Sequence, residues 1–184
     1  EAFEKAKTAE PDEPAILVRL AQEQLALSMP VNAERNLRKA IELEQDDKPS
    51  MDLLATVLEG TGRAHEVHAL WQEIVSKSPQ NPVARAKHAA SLYVSGKKEQ
   101  AVSAFEKAIA ELEDSAIVKR FYAPIKAQEE DFDKAMDLYE DVLDVAPTDV
   151  AVLSEYAQVL SAAGRDFEVP KVLKDILALN PEHN

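Results

Sequence analysis

The sequence predicts an all-α fold made of stacked, antiparallel helix pairs. Three observations carry that prediction. Ala21, Ala55, Ala89, Ala123 and Ala157 recur every 34 residues with no insertion between them. A large apolar column (Leu37, Trp71, Phe105, Tyr139, Leu173) and two further columns (Ala33, Val67, Ala101, Ala135, Val169; Ala40, Ile74, Ala108, Val142, Ile176) share the same period. Within each period, two segments with helical apolar spacing flank a break, which contains Gly or Pro in all repeats but the fourth. A fixed period of this length means that each unit cannot bury its apolar face alone and must stack on its neighbours.

The elements follow in order. Residues 1–13 read as the second helix of a truncated preceding repeat, because Phe3, Ala6 and Pro11 fall where Phe105, Ala108 and Pro147 fall later. The first full repeat is 14–47: Leu17, Leu20, Ala21 and Leu25 mark one helix, Ser28-Met29-Pro30 breaks it, and Ala33, Leu37, Ala40 and Ile41 mark a second. The second repeat, 48–81, breaks at Gly60-Thr61-Gly62. The third, 82–115, breaks at Ser95-Gly96, and the fifth, 150–183, at Ala163-Gly164. Glycine at such a break takes the left-handed conformation that ends a helix. The fourth repeat, 116–149, departs from this pattern: Glu130 stands where the second, third and fifth repeats carry Gly, and Pro124 lies inside the first helix. An internal proline removes a hydrogen bond, so a kink or a shortened helix is expected near Phe121–Pro124. Pro170 falls in the first turn of its helix, where proline is tolerated. Together the five repeats and the leading half-repeat read as one continuous domain.

Composition narrows the function. The chain has 184 residues, 46% hydrophobic and 30% charged, with a formal net charge of −13. An acidic chain argues against nucleic acid, whose binding depends on Lys and Arg neutralising phosphates. It argues equally against anionic membrane surfaces, and no apolar run is long enough for direct membrane insertion. There is no cysteine, so disulfides and thiolate chemistry are absent, while a cytoplasmic and a periplasmic location both stay open.

These columns resemble the tetratricopeptide repeat, a 34-residue helix–turn–helix unit. Met51, Leu54, Ala55, Leu58, Gly62, Val67, Trp71, Ile74 and Pro79 of the second repeat follow its pattern well. Departures are Arg85, His88, Lys119 and Lys126 at normally apolar positions, and Gln45 and Glu113 where proline is usual. The resemblance implies a right-handed superhelix of helix pairs, with the first helices lining a concave groove. It also implies a protein or peptide partner in that groove. On that pattern the groove residues are Val18, Gln22 and Leu25, then Asp52, Thr56 and Glu59, then Ala86, Ala90 and Tyr93. Arg120 and Gln128 follow from the fourth repeat, with Pro124 and Ala127 between them, and Ser154 and Gln158 from the fifth, with Ala162 beyond. Tyr93 and Arg120 are the residue types that most often dominate binding energy. The lining suits an extended peptide or an amphipathic helix. The dicarboxylate clamp of chaperone-type members is not matched: Val18, Gln22, Leu53, Val83 and Lys87 occupy its places, and only Lys87 is basic.

Other chemistry is sparse. Asp133, Asp137, Glu140, Asp141 and Asp144 share one helix face and read as a solvated surface, with a docking site for a basic partner as the alternative. Glu129-Glu130-Asp131 lacks the glycine and bidentate glutamate spacing of a calcium loop. His65 and His68 lack a third zinc ligand. No catalytic residue, metal or cofactor is expected. The sequence therefore points to a non-catalytic interaction scaffold. The alternatives are a self-associating spacer, joined through an uncapped last helix bearing Val172, Leu173, Ile176, Leu177 and Leu179, and an arm of a larger bacterial envelope, secretion or exopolysaccharide assembly protein.

Overall fold

The computed structural model describes residues 13–44 and 47–179. Ten α-helices are described, and among the described residues there is no strand. They are α1 (Pro14–Ala26), α2 (Pro30–Leu43), α3 (Lys48–Gly60), α4 (Ala64–Lys77) and α5 (Pro82–Val94), followed by α6 (Lys98–Glu111), α7 (Ala116–Gln128), α8 (Phe132–Val145), α9 (Val150–Ala162) and α10 (Val169–Leu179). The odd-numbered helices all have 13 residues and begin 34 residues apart. The expected half-repeat at 1–13 lies outside the described residues except for Glu13, as does Gln45.

The regularity comes from one closing turn used five times. Ser28, Gly62, Gly96, Glu130 and Gly164 all have positive φ, from 56° to 79°. The amide after each donates back across the turn: Met29 to Gln24, Arg63 to Leu58, Lys97 to Leu92, Asp131 to Lys126 and Arg165 to Leu160, at 2.8–3.0 Å. This is the Schellman closure, which satisfies carbonyls at the helix end and reverses the chain. Ser28 and Glu130 adopt it without being glycine.

Of the two outcomes expected at Pro124, a kink or a shortened helix, the shortening does not occur: α7 runs its full 13 residues through the proline. Tyr122 and Ala123, just before it, are buried, and Val118 is wholly enclosed. Packing of the turn before the proline outweighs the one hydrogen bond that proline cannot make. Helix α10 begins at Val169, three residues later than the period would place it, with Pro170 in its first turn.

Contacts divide the chain into two compact units, 1–84 and 85–184. In the first, Leu37, Leu54, Leu58 and Trp71 fill the core between α1 and α4. Arg63, at the start of α4, donates to both Glu34 of α2 and Glu66 of its own helix. Those bonds to Arg63 hold the Glu34 carboxyl below the usual carboxylate range, with Arg38 adding to the effect.

In the second unit the core runs through Phe105, Tyr122, Tyr139 and Leu160. Phe105 and Tyr122 stack with centroids 4.6 Å apart, and Tyr139 and Tyr156 meet tilted at 6.4 Å. Three of the charged departures from the apolar columns are neutralised here. Arg85 reaches Glu111 at 2.8 Å, Lys119 reaches Asp141 at 2.7 Å, and Lys126 lies between Glu129 (3.2 Å) and Asp131 (3.4 Å). Each cation keeps its aliphatic stem against the core while its head finds a carboxylate.

Candidate functional site

The second unit contains an open cleft of about 700 Å³ between α7 and α9. Its walls come from one face of each helix: Arg120, Phe121, Pro124 and Ala127 from α7, and Glu155, Gln158, Val159 and Ala162 from α9. Helix α8, which links them, supplies the floor through Phe132 and Tyr139. The spacing explains the assembly. Residues three and four apart share a helix face, and the small Ala127 and Ala162 leave room between the two helices.

The polar groups sit at one end. Arg120 donates to Asp149 and to Glu155, each at 3.2 Å. Asp149 also caps α9, accepting from the Ala151 and Val152 amides at 3.0 and 3.1 Å. Tyr139 is almost wholly buried, and burial together with the neighbouring Glu155 carboxylate pushes its phenol up to about 12. The apolar middle and the paired charges at one end suit the capture of an apolar side chain. Among the described residues there is no group of three His, Cys, Asp or Glu placed to hold a metal ion.

Of the expected groove residues, the cleft brings together Arg120 and Gln158, with Pro124, Ala127 and Ala162. Gln128 and Ser154 lie on the same two helices but outside its lining, and the Ser154 hydroxyl donates to the Val150 carbonyl. Tyr93 is half-buried, with the Lys98 ammonium 5.3 Å above its ring, and Ala90 beside it is also half-buried. Ala86 has no exposed surface: it is packed into the core and offers nothing to a ligand. In the first unit Gln22, Thr56 and Glu59 are exposed, while Val18, Leu25 and Asp52 are half-buried. The Asp52 carboxylate lies 3.4 Å from Lys48, and its carbonyl accepts from Thr56.

Phe121, Phe132, Tyr139, Glu155 and Val159 were not among the expected lining residues. The signal for two of them was present as exceptions to the columns. Phe121 stands where the other repeats carry Arg19, Leu53, Lys87 and Glu155, and Phe132 stands where they carry Pro30, Ala64, Lys98 and Asp166. The fourth repeat places aromatics at positions that elsewhere are mostly charged or small.

The acidic residues Asp133, Asp137, Glu140, Asp141 and Asp144 are all exposed on α8. Two of them serve the fold: Asp141 binds Lys119, and Glu140 accepts the Tyr156 hydroxyl. On α10, Leu173 and Leu177 are about half exposed, while Val172 is buried.

Helix pairs closed by a recurring left-handed turn define a helical repeat protein, and the comparisons specify the kind. Residues 126–184 match the tetratricopeptide repeat family model. The chain is similar to a thermophilic repeat protein of this type from Thermus thermophilus, with 21% identity over 86% of this chain and 87% of that one, at a TM-score of 0.66. It is similar to PilW, a type IV pilus biogenesis factor (15% identity, 90% and 77% covered, TM-score 0.67). It is also similar to YrrB, described as having an unusual peptide-binding site (15%, 100% and 94%, TM-score 0.56). Among curated proteins, none matches it in sequence. The fold is that of tandem tetratricopeptide repeats, and residues 126–184 carry the family's sequence signature. In general this fold supports a scaffold for protein–protein interaction.

Proposed function

We propose that the protein is a non-catalytic scaffold that holds a peptide or helix of a partner protein in the cleft between α7 and α9. One observation carries this reading: two neighbouring first helices leave an open, largely apolar cleft floored by Phe132 and Tyr139. Apolar clefts with a few convergent polar groups are the commonest ligand sites. A helix or extended segment laid along first helices buries alternate or heptad-spaced anchors there. Within the same unit, Tyr93 and Ala90 of α5 extend the proposed contact beyond the cleft. YrrB's peptide-binding site lends support by fold alone. The alternative of an arm in an envelope assembly uses the same site, and PilW lends it the same kind of support.

The test is affinity capture from the source lysate with the wild type and with Gln158→Trp, an exposed lining residue whose indole would occupy the cleft. A partner retained by the wild type and lost by the variant is the expected result, and its identity separates a free scaffold from an envelope arm. Capture of the same proteins by both would overturn the cleft reading. Capture only of further copies of the chain would transfer the role to self-association, for which the half-exposed Leu173 and Leu177 are the candidate contacts.

A further inference from the structure

We infer that the cleft takes a segment bearing one large apolar side chain flanked by lysine or arginine. This deepens the binding reading above and rests on it. The middle of the cleft sets the anchor. Phe121, Pro124, Phe132 and Val159 offer carbon surface, which favours an apolar side chain over a polar one.

The two ends set the charge. At the first, the single cation, Arg120, is shared between two carboxylates, Asp149 and Glu155, leaving that end net negative. At the other, both helices run into acidic turns. Helix α7 leads into Glu129-Glu130-Asp131 and Asp133, and α9 leads toward Asp166. Of the cations near these turns, two are engaged, and Lys134 lies among Asp137, Glu140 and Asp141 of α8. Lys126 binds Glu129 and Asp131, and Arg165 binds Glu168. Glu130, Asp133 and Asp166 are exposed, and among the described residues no basic side chain lies within ion-pair distance of them. The Asp166 carboxylate accepts the Ser161 hydroxyl at 2.7 Å. An acidic segment would meet like charge at both ends. A neutral one would leave both fields unused. A basic-flanked anchor complements the cleft along its length.

The experiment selects a displayed library of randomised peptides on three proteins: the full chain, Gln158→Trp and Ala162→Trp. Both substituted positions are exposed, and circular dichroism checks that each variant keeps its helices. The expected pool on the wild type is enriched in Trp, Phe or Leu with Lys or Arg close by and depleted in Asp and Glu, and it is lost on both filled variants. A labelled copy of the leading peptide should bind about fivefold more weakly on raising salt from about 50 to about 300 mM, and about fivefold more weakly to Glu130→Gln/Asp133→Asn/Asp166→Asn.

A neutral or acidic pool that is lost on both filled variants would overturn the charge assignment while leaving the cleft as a binding site. No enrichment, or the same pool on all three proteins, would overturn the cleft reading itself. Concentration-dependent association of the wild type, abolished by both filling substitutions, would give the cleft to a second copy and overturn the inference.

Discussion

Arg120 of α7 and Asp149 at the start of α9 are joined at 3.2 Å through one carboxylate oxygen, while the other oxygen accepts two α9 amides. A single aspartate thus begins one helix and ties it to its neighbour. The two roles differ in worth. A half-exposed ion pair contributes about 0.2–1 kcal/mol, whereas an N-cap contributes about 1 kcal/mol or more. Asp149→Ala should therefore lower stability by about 1–2 kcal/mol, and Arg120→Ala by at most about 1 kcal/mol. Urea midpoints measure both. A larger loss for Arg120→Ala than for Asp149→Ala would reverse the assignment.

The turn column yields a second prediction. Ser28 (φ 56°) and Glu130 (φ 61°) occupy the conformation that Gly62, Gly96 and Gly164 occupy at the same step of the period. A residue with a Cβ pays a steric cost there that glycine avoids. Ser28→Gly and Glu130→Gly should each stabilise by about 0.5–1 kcal/mol, after allowing for glycine's extra freedom in the unfolded chain. Gly62→Ala should cost about 1 kcal/mol, and from the backbone alone, since a Cβ at Gly62 would meet nothing within 4 Å. Thermal melts in which Gly62→Ala does not fall below both Ser28→Gly and Glu130→Gly would show that the turns are not held by φ.

Most of the fold was legible because its determinants are local and repeated. The small column at Ala21, Ala55, Ala89, Ala123 and Ala157 is buried throughout, so period and burial coincide. The exceptions misled where packing overrode a local preference. Pro124 favours a kink or a shortened helix, yet α7 keeps its full length, with the buried Tyr122 and Ala123 beside the proline. Glu130 ought to spoil a turn, yet the Asp131 amide still closes it onto Lys126. The cleft was only half legible. Its walls follow from first-helix spacing, which pointed to Arg120, Pro124 and Gln158. Its floor comes from α8, and a rule that reads first helices alone has no access to Phe132 or Tyr139. The same rule placed Ala86 in the groove, because spacing cannot tell a small wall residue from one enclosed by its neighbours.

The small column also fixes how closely helices approach. Ala89 has no accessible surface and lies in the second unit's core. Leucine there would add carbon atoms where no void receives them, forcing off-rotamer side chains or a backbone shift that costs about 1–3 kcal/mol. Ala89→Leu should melt correspondingly lower than wild type. Ala89→Gly should also lose stability, because it weakens the helix and opens a gap. An unchanged melt for Ala89→Leu would refute close packing at this column.

The floor of the cleft carries a pH signature. Burial, reinforced by the Glu155 carboxylate, raises the Tyr139 phenol to about 12 from its ordinary value of 10. A raised folded-state pKa favours the protonated form, so its stabilisation is fully present below pH 10. It is lost as pH rises toward 12, because the unfolded chain releases that proton first. A shift of this size corresponds to about 2–3 kcal/mol across the window. Tyr156, buried and donating to Glu140, is raised in the same direction and contributes to the same loss. Tyr139→Phe cannot titrate, so it isolates the Tyr139 contribution from lysine deprotonation and from Tyr156. Chemical denaturation at steps from pH 9 to pH 12 should show the wild type losing stability faster than Tyr139→Phe above pH 10, with the two curves parallel below it. Parallel curves over the whole range would mean that the Tyr139 hydroxyl is free to ionise and that the cleft floor is wetter than its burial indicates.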